Sequence, residues 1–284
     1  MKTLLLVALV LLVPIAGAIY GGAPAEQGAY PWMAHLYIDE PQEGIVCGGF
    51  LVAPRVVVTA AHCIPHEIDA LLGPNWITGG ESIDDYRVMF GQVDVRGDAG
   101  DVYRVVAAQR HPEARLLMPH LGGLGYAAND IGVLQLDRPA PYPTLRLATD
   151  ADRELYPSGA VARVIGWGCT ENVCFPNHLQ QVDVPVFSDA ECAVAPNYVV
   201  MYHPDTELCA GDRGIDSCGG DSGGPLFVRD AQGPVAIGIV NYGAYFSVEE
   251  DPAEVMLVPC GSRQHPGVYA EVAAFEAFLA PWLE

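Results

Sequence analysis

Ser222 lies in the stretch Ile215-Asp216-Ser217-Cys218-Gly219-Gly220-Asp221-Ser222-Gly223-Gly224-Pro225, among four glycines and a proline. Gly and Pro at this density specify a tightly turned, rigid backbone rather than a helix or strand. A serine on such a loop is presented outward, and neighbouring backbone N–H groups can converge on one point. Acyl transfer needs both, a nucleophile and donors for the developing oxyanion. A Gly-rich turn with an incidental serine has the same composition, so a base and an orienting acid must be found elsewhere. His62 ends the run Val56-Val57-Val58-Thr59-Ala60-Ala61-His62-Cys63, a β-branched strand entering a small-residue turn with room around the imidazole. Asp130 opens the apolar segment Ile131-Gly132-Val133-Leu134-Gln135-Leu136, where partial burial would demand a partner such as an imidazolium. Base, acid and nucleophile would then form a triad. The plainer readings are a surface histidine and a strand-start turn aspartate; Asp137, beyond the strand, is the poorer acid.

The elements that must hold these residues read as short strands. The chain has 284 residues, 51% apolar and 17% charged, with 31 Gly and 23 Pro, which is a globular, turn-rich, β-rich composition. Apolar runs within 29–38, 44–58, 88–95, 102–107 and 160–166 are expected strands, and 64–86 and 111–128 are expected irregular loops. The Pro-, Asp- and Arg-rich segment 137–159 reads as a linker between two halves. Phe275, Phe278, Leu279 and Trp282 have helical spacing, which predicts a terminal amphipathic helix over 272–284. No internal repeat is visible.

A net charge of −21 opposes binding to nucleic acid or anionic membranes and favours cationic ligands. Residues 1–18 read as a secretory signal: Lys2, the apolar run Leu4 to Val13, then Ala16-Gly17-Ala18 for cleavage. A soluble, exported chain is expected, with eight cysteines available for disulfides; zinc is the alternative, but no pair of Cys-x-x-Cys motifs is present. No cofactor is called for. Asp94, Asp98 and Asp101 offer oxygens for Ca²⁺ without the spacing of an EF-hand loop, so a solvated acidic turn is preferred.

TAAHC at 59–63, NDIGVLQL at 129–136, GWG at 166–168, GDSGGP at 220–225 and PGVY at 266–269 together resemble the trypsin/chymotrypsin family of serine endopeptidases, as does IYGG at 19–22 apart from Tyr20, where Val is usual. The resemblance spans about 19–284. It implies an all-β fold of two antiparallel six-stranded β-barrels, about 29–140 and 160–271, followed by a C-terminal α-helix. It implies His62, Asp130 and Ser222 as the triad and the N–H groups of Gly220 and Ser222 as the oxyanion hole. It also implies a pocket with Asp216 at its floor, Ser217 beside it and Gly243 and Gly267 in its walls, hence cleavage after Arg or Lys. Six cysteines pair by the same resemblance, Cys47–Cys63, Cys192–Cys209 and Cys218–Cys260, leaving Cys169–Cys174 as a local pair. Protein or peptide substrates, protein inhibitors and a monomer are the expected partners and state.

The chain departs from the family in two ways. The segments His62 to Gly91 and Tyr242 to Cys260 are long, and the second carries Glu249, Glu250, Asp251 and Glu254, which would attract additional basic residues. In the family, a freed N-terminus pairs with the acid before the nucleophile, here Ile19 with Asp221. Yet Ile19 directly follows the signal, so signal cleavage itself is expected to liberate it. Cleavage after Ala16, with a dipeptide left to trim, is the alternative. A catalytically silent binding module is a rival reading, opposed by the complete triad, and a chymotrypsin-like preference is opposed by Asp216.

Overall fold

The computed structural model of the chain describes residues 19–38, 45–65, 82–97, 100–117, 126–194, 202–243, 246–248, 255–257 and 260–283. The signal, much of the 64–86 loop, Asp98, Gly122 to Gly125 and the acids at 249–251 and 254 lie outside them.

The fold is all-β. Six strands form a closed antiparallel barrel: β1 (Met33–Ile38), β2 (Ile45–Ala53), β3 (Val56–Thr59), β4 (Tyr86–Phe90), β5 (Asp101–Arg110) and β6 (Gly132–Leu136), in the order β1-β2-β3-β6-β5-β4. Alternation puts Tyr103 and Val105 of β5 inside and leaves Val102 and Val106 outside. Leu36, Leu51, Tyr86, Phe90, Leu134 and Leu136 are fully buried, as is Phe50 on the opposite face of its strand from Leu51.

A second antiparallel set follows: β7 (Val161–Gly166), β8 (Gln180–Pro185), β9 (Glu207–Ala210), β10 (Pro225–Arg229), β11 (Pro234–Tyr242) and β12 (Gly267–Glu271). Its order is β8-β7-β10-β11-β12-β9. The ends of this sheet meet through a bridge from Val186 to Ala210, reinforced by Gly211 N–H to the Pro185 carbonyl at 3.1 Å and Phe187 N–H to the Cys209 carbonyl at 2.9 Å. Followed round from its own first strand, each half therefore runs first, second, third, sixth, fifth, fourth. The halves share a topology that the residues do not repeat.

The segment 137–159 is more ordered than a plain linker. Arg146–Leu147 adds to β11 in parallel, Asp150–Leu155 is a 3₁₀ turn, and the Arg153 guanidinium meets the Glu271 carboxylate of β12 at 2.5 Å. Within the expected irregular loop 111–128, Arg115–Leu117 and Tyr126–Ala128 pair as strands. Conversely, Val93 to Val95 is not in a strand; Asp94 makes one bridge to His178. The terminal helix is broken into a 3₁₀ turn at Val272–Phe275, one α turn at Glu276–Leu279 and a 3₁₀ turn at Ala280–Trp282. Pro281 explains the last break, since it has no N–H to donate and its ring clashes with the preceding turn.

Tyr30, Trp32 and Phe227 pack edge to face at 5.8–6.0 Å and tie the start of the first barrel to β10. Nearby, His35 on β1 stacks on Tyr37 and meets Trp167 at 5.0 Å. Both its ring nitrogens are buried without a hydrogen-bond partner among the described residues, and burial pushes its pKa down to about 4. The unfolded chain therefore takes up this proton first as pH falls below about 6.5, so stability drops between about pH 6.5 and 4. From pH 7 to 4, the wild type is expected to lose about 3 kcal/mol more than His35→Phe. Urea midpoints for both proteins across that range measure this; a pH-independent difference would refute it.

Candidate active site

His62 lies in the 3₁₀ turn Ala61–Cys63 directly after β3, and Asp130 lies just before β6. Because β3 and β6 are paired neighbours, their ends bring the two side chains together. The Asp130 carboxylate holds the turn twice. One oxygen accepts the His62 backbone N–H at 2.9 Å, and the other meets His62 Nδ1 at 2.6 Å. A carboxylate at Nδ1 places the ring proton there and leaves Nε2 as the acceptor. Asp130 is fully buried and His62 nearly so. The Cys47–Cys63 disulfide and a hydrogen bond from the Tyr86 hydroxyl to the Cys63 carbonyl fix the turn.

Ser222 comes from the other half, on the loop between β9 and β10. Its carbonyl accepts the Gly48 N–H of β2 at 2.7 Å, and the Gly48 carbonyl accepts the Thr59 hydroxyl at 2.8 Å. Gly223, at φ 77°, explains the glycine after the serine: a Cβ there would lie 2.3 Å from Thr59 Oγ1 and 2.5 Å from the Gly48 carbonyl oxygen. Ser222 is thus clamped against the turn that carries His62.

Asp221 points away from this seam into a cradle made by the GWG segment. Its carboxylate accepts N–H groups from Gly168 and Cys218, each at 2.8 Å. A Cβ on Gly166 would lie 2.0 Å, and one on Gly168 2.6 Å, from carboxyl atoms of Asp221, so both positions must be bare. Burial raises the Asp221 pKa to about 7. Ile19 is fully buried with φ 60°, and Tyr20 exchanges two backbone hydrogen bonds with Asp216 at 3.1 Å. Ala23–Pro24 continues along β8.

Asp216 is 2% exposed and lines one slot with Ser217, Ser222, Gly243 and His265. Its oxygens accept N–H groups from Ser217 at 2.8 Å, Gly267 at 3.2 Å and Gly261 at 3.4 Å. Burial holds its pKa well above the usual carboxylate value. A Cβ on Gly267 would come 2.6 Å from the Asp216 carboxylate and 2.9 Å from Ser217 Oγ, while Gly243 has open space. The Tyr269 hydroxyl bonds Ser217 Oγ at 3.1 Å. The Cys218–Cys260 disulfide joins the two sides of the slot.

Three neighbours carry no sequence motif. The Phe175 ring covers Gly220. His265 enters the slot from the residue before PGVY. Glu207, buried on β9, accepts the His203 N–H at 2.8 Å and the Tyr242 hydroxyl at 3.1 Å, and burial pushes its pKa up to about 8. Only burial and packing reveal them; Glu207 opens the short strand Glu207–Ala210 after Asp205 and Thr206, where an acid looks like an ordinary loop-end residue.

Among the described residues, one His/Cys/Asp/Glu cluster has metal-ligand spacing, Cys47, His62 and Cys63, and its sulfurs are joined as a disulfide. In the acidic turn, Asp94 accepts the Arg96 N–H and Asp101 the Tyr142 hydroxyl. The remaining disulfides are Cys169–Cys174 and Cys192–Cys209. Among the described residues, no helix is long and apolar enough to cross a membrane.

Fold and site together are those of a serine peptidase, a hydrolase of peptide bonds in proteins. A family model described as Trypsin matches residues 19–279. The chain is 32% identical to a trypsin of Saccharopolyspora erythraea over 260 residues, covering 90% of this chain and 94% of that one. It is 31% identical to the CLIP domain-containing serine protease HP8 of Bombyx mori, covering 94% and 69%, and 30% identical to a trypsin-like protease of Streptomyces glaucescens, covering 92% and 81%. The chain belongs to the trypsin family.

Proposed function

We propose that this protein is a secreted, monomeric serine endopeptidase that cuts proteins after Arg or Lys. The observation that carries the specificity is the buried Asp216 carboxylate lining the same slot as Ser222. An Arg or Lys side chain reaching Asp216 would bring the carbonyl that follows it to Ser222. Ser222 Oγ attacks this carbonyl. His62 Nε2 takes the hydroxyl proton and returns it to the leaving amine, while Asp130 holds the ring and stabilises its charged form. The N–H groups of Gly220 and Ser222 receive the oxyanion, and water then releases the acyl group from Ser222 by the same steps. Protein inhibitors that offer Arg or Lys to the slot fit the same reading.

Export and activation are coupled in this proposal. Removing residues 1–18 creates an α-ammonium at Ile19, which pairs with Asp221 and lowers the raised pKa of that buried carboxylate. A left-handed φ on a β-branched residue costs about 1–3 kcal/mol. The φ of Ile19 is defined by the carbonyl of Ala18, so cleaving that bond abolishes the strain. N-terminal sequencing of the active, exported protein is expected to begin at Ile19; residues retained ahead of it would refute this route.

Specificity is tested with peptides differing only at the residue before the cut. Arg and Lys substrates are expected to exceed Leu and Phe substrates by at least about 100-fold in kcat/KM, the scale of one desolvated ion pair. A preference for an apolar residue would overturn the assignment of Asp216.

A further inference from the structure

The oxyanion donor Gly220 follows another glycine, and two consecutive glycines leave the backbone unusually free to rotate. A donor N–H that must be preorganised therefore needs an external restraint. The short loop closed by Cys169–Cys174 lies against this dipeptide. The Cys169 N–H donates to the Gly219 carbonyl at 2.7 Å. That carbonyl and the Gly220 N–H belong to one planar trans peptide, so fixing the oxygen on one side fixes the N–H on the other. Gly220, at φ 94°, is then enclosed: a Cβ on it would lie 2.6 Å from the Phe175 ring and 3.1 Å from the Gly168 Cα.

Phe175 itself is held unusually. It follows Cys174 directly, takes a left-handed φ of 57°, and is 49% exposed. Neither exposure of an aromatic ring nor a left-handed phenylalanine favours folding locally. The loop behind it is internally cross-bonded, with Thr170 Oγ1 accepting the N–H groups of Asn172 at 2.8 Å and Val173 at 2.7 Å. The triad does not use this loop, and the Asp221 cradle uses only its first neighbour, Gly168.

We propose that Phe175 and the Cys169–Cys174 loop are positioning elements that hold the Gly219–Gly220 peptide with its N–H aimed at the oxyanion. The proposal rests on the reading of Ser222 and Gly220 given above. They act through Gly220, whereas the Asp216 carboxylate is held by the N–H groups of Ser217, Gly261 and Gly267, so they serve transition-state binding and not capture of the cationic side chain.

The test compares wild type, Phe175→Ala, Phe175→Gly and the double variant Cys169→Ser/Cys174→Ser. Each is titrated with a peptidyl arginine aldehyde, whose carbonyl becomes an oxyanion on addition of Ser222 Oγ, with the matching peptidyl alcohol, and with benzamidine, which needs only the slot. In the variants, aldehyde affinity and kcat are expected to fall together by about 10- to 100-fold, part of the 10²- to 10³-fold loss for a missing oxyanion donor. Benzamidine and alcohol affinities and KM are expected to stay within about twofold. Phe175→Gly relieves the left-handed conformation, so its Tm is expected to hold while kcat falls, separating positioning from folding. Equal losses for aldehyde and benzamidine, or no loss of either, would overturn the proposal. A wild type that binds aldehyde no better than alcohol would instead overturn the oxyanion reading beneath it.

Discussion

Replacing Ser222 by alanine is expected to lower kcat about 10⁶-fold while leaving KM nearly unchanged. The expected size follows from how the residues are coupled. Asp130 sets the His62 tautomer through Nδ1, and the Gly48–Ser222 and Gly223–Thr59 contacts press the serine loop against the same turn. A base without its nucleophile has no proton to take. His62→Ala is therefore expected to cost about as much as Ser222→Ala, and the double variant little more than either. Orientation by Asp130 can be partly replaced by residual order, so Asp130→Asn is expected to cost less, about 10⁴-fold. Steady-state kinetics on one Arg peptide across the four variants tests this. Losses that multiply in the double variant, or Ser222→Ala activity within about 100-fold of wild type, would remove Ser222 and His62 from a shared step.

Asp216→Asn is expected to reduce kcat/KM for Arg and Lys peptides by about 10²- to 10⁴-fold, with smaller changes for uncharged ones. Removing one partner from a buried ion pair costs about 3–5 kcal/mol. The buried Asp216 carboxylate adds a pH dependence. Three peptide N–H groups favour the charged carboxylate, yet burial still holds its pKa above the usual value. A cationic substrate is therefore expected to bind more tightly as pH rises through that pKa and the carboxylate ionises in the free enzyme. The Asn variant should lack this limb when benzamidine affinity is measured against pH. An Asn variant that keeps the full Arg preference and the same pH limb would show that another group reads the substrate charge.

The site was legible where a single backbone segment had to satisfy several demands at once. Glycines and an acid around Ser222, small residues before His62 and an acid opening an apolar strand are local patterns. Three of the disulfide pairs rested on family resemblance, because spacing alone allows many pairings, and Cys169–Cys174 was the local pair left over. Contacts across the seam were not legible. Gly48, Gly166 and Gly168 are bare because a distant loop approaches each of them, and Phe175 reads as an ordinary loop aromatic. The fold shows the same division. Short strands announced a β protein, but the shared cyclic order of the two halves lies in pairing registers that their unlike residues satisfy independently. Pro281 was the visible warning against one continuous terminal helix.

The path of the first described residues sets the order in which this enzyme can assemble. Tyr20 and Ala23–Pro24 are docked on the second half, against Asp216 and β8, before the chain turns back to build the first barrel. During synthesis the first barrel can close from contacts among its own strands, while the earliest residues wait for partners made much later. Such long-separation contacts are slow to form because loop closure precedes their reward. The cutting site is consequently among the last parts of the molecule to mature. A chain interrupted before the β9–β10 loop would carry the histidine and its aspartate but no serine with which to attack a peptide bond.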